Sequence, residues 1–541
     1  MISRRQFLLS SFAASAGLAA TPGVFAATQA QADLDPGDWH QYARLFPRRA
    51  VSQPGSDVER GLIALANEMV DKKIDNNDKT GDAKNLAAGY TYLGQFIDHD
   101  LTLDITPLDH VRVDVENVTN FRTPFLDLDQ LYGGGPNISP FLYRKHGSAD
   151  SPEGQERFLL GATAAGKRPD QPDRTLASTC NDLPRNSQGT ALAGDPRQDE
   201  NLILAQLHVA FLKLHNLVLD HPPELDKSPY YKIKPLFGAA RRVVTWHYQW
   251  IVRHDFLKRI VDETVFDQLD DRDYKPLIGR SPRRFRIPVE FSAAAFRFGH
   301  SMVRNEYHYN QWHEDAKLLE ELFQRTGFGN TGNVPVPEEW RISWDRFFKF
   351  LNPFILEKAR KIDTKIAEDL FSLPPLQIRA FSAVPSPKMT FASDPPQLPI
   401  RTLLRGARLG LPTGQDVARK VLFLEPKTRV LTTREITNGP HEKILKENGF
   451  DTDTPLWYYT LKEAEIRGAG DKLGPIGSRL VADVILASLA SDPDSYVSVA
   501  GADWRPTLWT STSETDKNPS DMSKLLQLLL PETSTRACSS T

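Results

Sequence analysis

The chain has 541 residues, 40% of them hydrophobic, enough to bury one very large core or two ordinary ones. Its formal net charge is −3 with acids and bases dispersed, so neither a nucleic-acid surface nor a polybasic membrane patch is expected, and a small molecule is the default ligand. Two cysteines, Cys180 and Cys538, exclude a disulfide framework and a CxxC metal site.

Residues 1–26 read as an address. MISRRQFLLSSFAASAGLAATPGVFA carries Arg4 and Arg5 ahead of a short apolar region, with small residues around Ala26 and Ala27, the pattern of a twin-arginine signal peptide. The expected location is therefore periplasmic or extracellular. An N-terminal anchor is the alternative, although the apolar part is short for a span of about 20 residues. Losing the two arginines takes the net charge from −3 to −5. No later apolar run is read as a membrane span.

From residue 35 onward helical spacing dominates. Apolar residues three and four apart predict helices over 62–70, 201–220, 239–263 and 478–490, and strand-like alternation is scarce. The 39 prolines mark helix stops and Pro/Gly-rich connections such as RTPFLDLDQLYGGGP (122–136) and RLGLPTGQ (408–415). There is no internal repeat. The expected fold is a single mainly α domain over 35–510, followed by a polar tail over 511–541 that is expected to be disordered.

Four fragments carry chemistry. In YLGQFIDHDLTLD (92–104) Gln95 and His99 share a helix face, while Asp98 and Asp100 flank it. So many ionisable groups in an apolar run need partners. FRTPFLDLDQLYG (121–133) offers oxygens at Thr123, Phe125 (its carbonyl), Asp127 and Asp129, every second residue, which suits a hard cation. GDPRQDEN (194–201) offers Arg197 and Glu200 at the start of a long helix, and FRFGHSMVRNEY (296–307) offers His300 behind a glycine that lets a flat group approach. Each also has a plainer reading taken alone: a hydrogen-bonded core histidine, a solvated acidic loop, an ion pair between Arg197 and Glu200. His208, His215, His247 and His254 are read as structural, and TPLWYY (454–459) as core.

In this order and spacing, and joined by LLRGARLGLPTGQ (403–415), TPLWYYTLKEAE (454–465) and LGPIGSRLVADVILA (473–487), the fragments resemble the animal-type haem peroxidase (peroxidase–cyclooxygenase) superfamily, in its bacterial exported branch. The resemblance implies a large helical domain around haem b. It implies His99 as the distal histidine with Gln95 beside it, Arg197 as the distal arginine, His300 as the iron ligand and Arg297 at the haem. Asp98 and Glu200 match carboxylates that can form ester bonds to haem methyl groups. Asp100, Thr123, Phe125, Asp127 and Asp129 match calcium ligands.

The implied activity is reduction of hydrogen peroxide to water through a ferryl state, followed by oxidation of a halide, pseudohalide or small phenolic donor, in a response to oxidative stress. Haem held by a neutral imidazole keeps its other face open; His99 would move the proton, and Arg197 would hold the developing charge. Two positions depart from the family pattern. Asn201 stands where the most strongly oxidising members carry a haem-bonded methionine, so bromide, iodide, thiocyanate or phenols are expected before chloride. Thr402 falls near an asparagine that would bond the proximal imidazole, which puts that contact in doubt.

Two other functions are weighed. A fatty-acid dioxygenase of the same fold needs a tyrosine three positions before the proximal histidine, where this chain has Arg297. A non-catalytic haem- or calcium-binding module should have lost one of His99, Arg197 or His300. An HD-type phosphohydrolase would need a further upstream histidine, and only His40 precedes His99.

Overall fold

The computed structural model describes residues 40–529 except 50–54, 73–78, 107–114, 116–117, 146, 149–150, 222–228, 270–273, 279–284, 314, 328–333, 351–354, 374–394, 422–428 and 507–519. The expected signal peptide over 1–26 lies outside these residues. So does most of the expected tail.

The architecture is mainly α. The helices that build the site are α1 (Asp57–Glu68), α2 (Gly89–Leu101), α3 (Leu202–Leu219), α4 (Leu236–Ile251), α5 (Leu398–Leu409), α6 (Leu456–Arg467), α7 (Pro475–Ser491) and α8 (Met522–Leu528). Strands occur only as two-stranded pairs among the described residues: Asp82–Ala87 runs antiparallel to Lys358–Arg360, and Val70–Asp71 parallel to Ile366–Ala367. The four helical stretches expected from periodicity are present. The run expected at 239–263 starts earlier, after Pro235, and passes through a π turn at Val252–Phe256 before ending at Ile260.

One continuous core holds the helices together. Phe96 of α2 is fully buried, stacks on Phe211 of α3 with ring centroids 4.8 Å apart, and meets the edge of Tyr248 of α4 at 5.9 Å. Aromatic pairs of this kind contribute roughly 0.5–1.5 kcal/mol beyond their burial. The first residue of α2 must be glycine for a packing reason, since a Cβ on Gly89 would lie 2.5 Å from the Phe347 carbonyl oxygen and the Phe348 ring. That contact seats α2 against the chain on which the rest of the site depends.

Two expectations need correction. The expected disorder over 511–541 fails at α8, where Met522, Leu525 and Leu526 are buried. Polar composition on either side hid an apolar spacing of three and four, and Asp521 caps the helix by accepting from Lys524 N at 2.9 Å. The Met522 amide also donates to Asp255 (3.0 Å), whose carboxylate accepts from the Tyr90 hydroxyl of α2 at 2.9 Å. The second correction concerns membrane spans. Among the described residues, α3 does reach the length and mean hydropathy (1.6) of a spanning helix, but 83% of it is buried inside the protein. Its apolar all-round surface is explained by central packing.

Candidate functional site

α2 distributes its polar residues to three places. Gln95 and His99 face α3, where the Gln95 amide donates to Glu200 Oε2 (3.0 Å) and accepts from Asn201 Nδ2 (3.1 Å). His99 Nε2 lies 3.8 Å from the same Glu200 oxygen. Asn201 does two jobs, because its side-chain oxygen also caps α3 by accepting from Leu204 N at 2.9 Å. The residue that departs from the family pattern thus has a structural reason to be polar.

Arg197 sits on a 3-10 turn, Pro196–Asp199, capped by Asp195. Its Nη2 donates to the backbone carbonyls of His99 (3.2 Å) and Thr102 (2.6 Å) and to Asp195 Oδ2 (2.8 Å). The ion pair is therefore with Asp195, and Glu200 is left to Gln95. Burial alone would raise the Asp195 pKa, but the charge and hydrogen bonds of Arg197, with Arg122, hold it well below the usual carboxylate range. Burial, reinforced by Arg197, depresses the His99 pKa well below the ordinary histidine value, so the ring is neutral at neutral pH. Burial also pushes Glu200 up to about 7.

Sequence reasoning missed a chain of amides behind His99. Gln130 donates to the Phe96 carbonyl (3.0 Å) and accepts from Gln198 Nε2 (2.7 Å), which lies 3.4 Å from His99 Nδ1. At that length the last contact does not fix which ring nitrogen carries the proton. Gln198 was legible only as a neighbour of Arg197; its contact across 99 residues of sequence has no local signal.

Asp98 points to a second place, a cavity of about 80 Å³ lined also by Thr102, Arg197, Arg297 and Arg405. Asp98 accepts from the Thr102 hydroxyl at 3.0 Å, and burial raises its pKa against the opposing charges of Arg197 and Arg297. Arg297 donates through Nε to the Ser292 carbonyl (2.9 Å) and forms no ion pair among the described residues. Arg405 bonds the Thr106 carbonyl and keeps its buried Nη1 without a hydrogen bond, 3.7 Å from Asp104. Asp98 and Asp104 face these arginines in the same cavity, and the free donors of Arg297 and Arg405 can still bind an anionic group.

Arg297 also starts the far wall. It lies in a 3-10 helix, Ala295–Met302, that carries His300 and packs against α2. His300 Nδ1 is buried without a hydrogen-bond partner, and the ring meets Trp457 of α6 edge-on at 5.9 Å. Burial, then the Arg297 charge, lowers the His300 pKa to about 3. A Cβ on Gly299 would meet nothing within 4 Å outside its chain neighbours, so there is open space at the residue before His300. Thr402 is not its partner: that hydroxyl donates to Leu398 O within α5 at 3.0 Å.

The third place is acidic. Carboxylate oxygens of Asp100, Asp127 and Asp129 lie within 4.8 Å of one another, and both oxygens of the fully buried Asp100 lack a hydrogen-bond partner. Leu128 between the two loop acids has φ 58°, a left-handed conformation uncommon for leucine, which turns both acids to one side. Thr123 bonds both, through its hydroxyl to Asp127 (2.9 Å) and its amide to Asp129 (3.1 Å). Burial and the neighbouring acids raise the Asp100 pKa well above its usual value. Phe125 follows in the same loop, buried at 5% exposure.

The four histidines read as structural lie outside these clusters. His215 bonds Tyr132 and the Glu156 carbonyl, His247 the Val243 carbonyl, and His254 the Tyr496 hydroxyl, while His208 packs against Phe96.

Comparison with known proteins bears on what this arrangement is. The animal haem peroxidase model matches residues 106–374. The chain thus carries an animal haem peroxidase domain over these residues. A peroxidase-like protein of Margaritifera margaritifera is 36% identical over 121 residues, covering 21% of this chain and 14% of that protein. The chain spans less than a fifth of the length of the first curated relatives it matches. Peroxidase A of Dictyostelium discoideum shares the fold with TM-score 0.55 at 17% identity, covering 86% of this chain and 89% of that one. An Oryza sativa fatty acid alpha-dioxygenase shares it with TM-score 0.53 at 13% identity, covering 82% and 76%. Haem is the cofactor that this family implies, and the unpartnered His300 Nδ1, the open space at Gly299 and the guanidiniums of Arg297 and Arg405 fit it.

Proposed function

We propose that the protein is a haem peroxidase that reduces hydrogen peroxide to water while oxidising bromide, iodide, thiocyanate or a small phenol. The observation that supports this most is a pair of walls. Arg197, tied to the end of the helix that carries the neutral His99, lines with Asp98 the same cavity as Arg297, and Arg297 lies on the element that carries His300.

In this reading His300, its ring neutral, would hold the iron, and Arg297 and Arg405 would pair with the haem carboxylates. Asp98 and Glu200 would attach the macrocycle through esters, which would remove two charges from the site. Bound haem supplies the redox-active metal that takes the oxidising equivalents of peroxide. His99 accepts a proton from one peroxide oxygen and returns it to the other, so that water departs. Arg197, which cannot lose its charge, stabilises the negative charge that develops as the O–O bond breaks. Gln95 fixes Glu200 beside His99. Calcium, held by Asp100, Asp127, Asp129, the Thr123 oxygens and the Phe125 carbonyl, would let three crowded carboxylates ionise together. Export by the twin-arginine route to the periplasm or beyond belongs to the same reading, on the Arg4–Arg5 leader.

The shared fold favours one second reading, fatty-acid dioxygenation. The position three before His300 is Arg297, and the nearby tyrosines are engaged elsewhere: Tyr307 accepts from Arg304 N at 3.0 Å, and Tyr309 stacks on Trp340. The haem-loaded chain should oxidise iodide or guaiacol only when peroxide is present. Oxygen uptake on linoleate without peroxide would instead favour the dioxygenase, and neither activity would leave a non-catalytic haem- or calcium-binding module.

A further inference from the structure

Behind His300 lies a cavity of about 380 Å³ that the site described above does not use. Its lining includes Ala293, Ala294, Thr402, Gly406 and Trp457, and none of Gln95, Asp98, His99, Arg197 or Glu200. Trp457, whose ring meets that of His300, puts it on the His300 side, under α5 and α6. It opens to solvent past the exposed Arg49, Val58 and Asp453, so a small molecule can enter from outside.

The chemistry of its walls selects the occupant. Leu62, Leu403, Leu411, Phe450 and Leu456 make it apolar. The charged residues at its edge are already balanced, because Arg49 pairs with Asp453 at 2.9 Å and also faces Asp416 at 3.9 Å. A halide would find no cation to spare. The hydroxyls can still serve a neutral one: Thr402 and Thr452 donate to carbonyls of their own turns and keep lone pairs, while Thr413 Oγ1 accepts from Asp416 N and keeps its proton. A flat, neutral ring with one hydroxyl matches this inventory.

Trp457 joins the cavity to the iron ligand. Its indole lines the cavity, its ring meets that of His300 at 5.9 Å, and Nε1 donates to the Arg297 carbonyl at 3.1 Å, which pins the indole in place. Sequence reasoning took TPLWYY as core. Trp457 is core, only 2% exposed, yet it forms the partition between cavity and ligand.

We propose that this cavity is a second donor site, taking a neutral phenol and passing its electron through Trp457 toward the haem. The inference rests on the peroxidase reading and deepens it. Each phenol loses the hydrogen of its O–H bond as one electron and one proton, leaving a phenoxyl radical. The electron travels by way of Trp457 and the proton leaves to water. Two phenols supply the two electrons that, with two protons, turn one hydrogen peroxide into two waters. Small anions would then react on the His99 side and phenols on the His300 side.

The test uses the haem-loaded full chain, wild type beside Gly406→Leu and Trp457→Phe, with equilibrium dialysis of guaiacol and steady-state oxidation of guaiacol and iodide. A Cβ on Gly406 meets only Leu411, at 3.4 Å or more, so the leucine side chain enters the cavity from a helix it suits. Expected are saturable guaiacol binding to wild type that iodide does not displace, a tenfold or greater rise in guaiacol Kd and KM in Gly406→Leu, and an unchanged Kd with a tenfold or greater fall in guaiacol kcat in Trp457→Phe. Iodide kcat/KM should stay within twofold in both, with an unchanged haem spectrum. Wild-type guaiacol kinetics in either variant, or displacement by iodide, overturns the second site while leaving the peroxidase reading intact. Wild-type protein that oxidises neither donor overturns the peroxidase reading itself, and the proposal with it.

Discussion

Arg197 is tied to the backbone of His99: its Nη2 donates to that carbonyl at 3.2 Å and to Thr102 O at 2.6 Å, closing the end of α2 over the site. One guanidinium thus orients the helix end that presents the histidine and carries the charge beside it.

A lysine at this position keeps the charge and loses the fork. Arg197 sets Nε (3.1 Å) and Nη2 (2.8 Å) against the two oxygens of Asp195, a two-nitrogen contact that the single ammonium of Arg197→Lys cannot reproduce while holding the helix end. The second-order rate constant for reaction of the haem-loaded protein with peroxide should fall by about 10²-fold. Stopped-flow absorbance measures it, and a rate within threefold of wild type would remove Arg197 from the mechanism.

Covalent attachment through Asp98 and Glu200 should leave haem with the protein after peroxide treatment and extraction into acidified organic solvent. Asp98→Asn with Glu200→Gln should release all of it. Complete release from the wild type would show that these carboxyls stay free.

Three carboxylates within 4.8 Å of one another, one of them fully buried and one, Asp129, paired with an arginine (Arg122, 3.2 Å), ionise together far more readily around a bound cation. Elemental analysis should find calcium bound, and Asp129→Ala should lose it. Because an ion that binds only the folded chain stabilises it, by about 2.7 kcal/mol at a hundredfold excess over Kd, chelation should lower Tm by several degrees, with recovery on adding calcium back. No shift on chelation would argue that the cluster is protonated rather than metal-filled.

His215 supplies a pH dependence away from the site. It is fully buried between Tyr132 and the Glu156 carbonyl, and burial lowers its pKa to about 3. Below about pH 6.5 the unfolded chain takes up a proton that the folded one refuses, so this stability is present above that value and is lost as pH falls toward 3. Between pH 6.5 and 4.5 the wild type should lose about 2 kcal/mol more than His215→Gln in denaturant titrations. Parallel losses would mean that the ring charges in place.

Much of this was legible in the sequence where the signal is local. The three-and-four spacing located α3 and α7, and the i, i+4 pair Gln95 and His99 does share a face toward Glu200. The alternating acids of the 123–129 loop do converge, although their third partner, Asp100, comes from α2. What was missed is tertiary. Gln130 and Gln198 acquire meaning only once two distant segments meet behind His99. Arg405 has no local signal, and only the fold brings it beside Arg297. The tail helix was averaged away by polar flanks, and the cavity behind His300 is a property of space left between α1, α5 and α6 that no residue type announces.

The account stands on His99 and His300 facing one haem from opposite sides. The most direct measurement is the absorption spectrum of the haem-loaded protein before and after one equivalent of hydrogen peroxide, with His300→Ala and His99→Gln beside the wild type. The account predicts a five-coordinate, histidine-ligated ferric spectrum in wild type and His99→Gln that His300→Ala lacks, and a peroxide response slowed by about 10²–10⁴-fold in His99→Gln. An unchanged spectrum in His300→Ala, or a wild-type peroxide rate in His99→Gln, would contradict it.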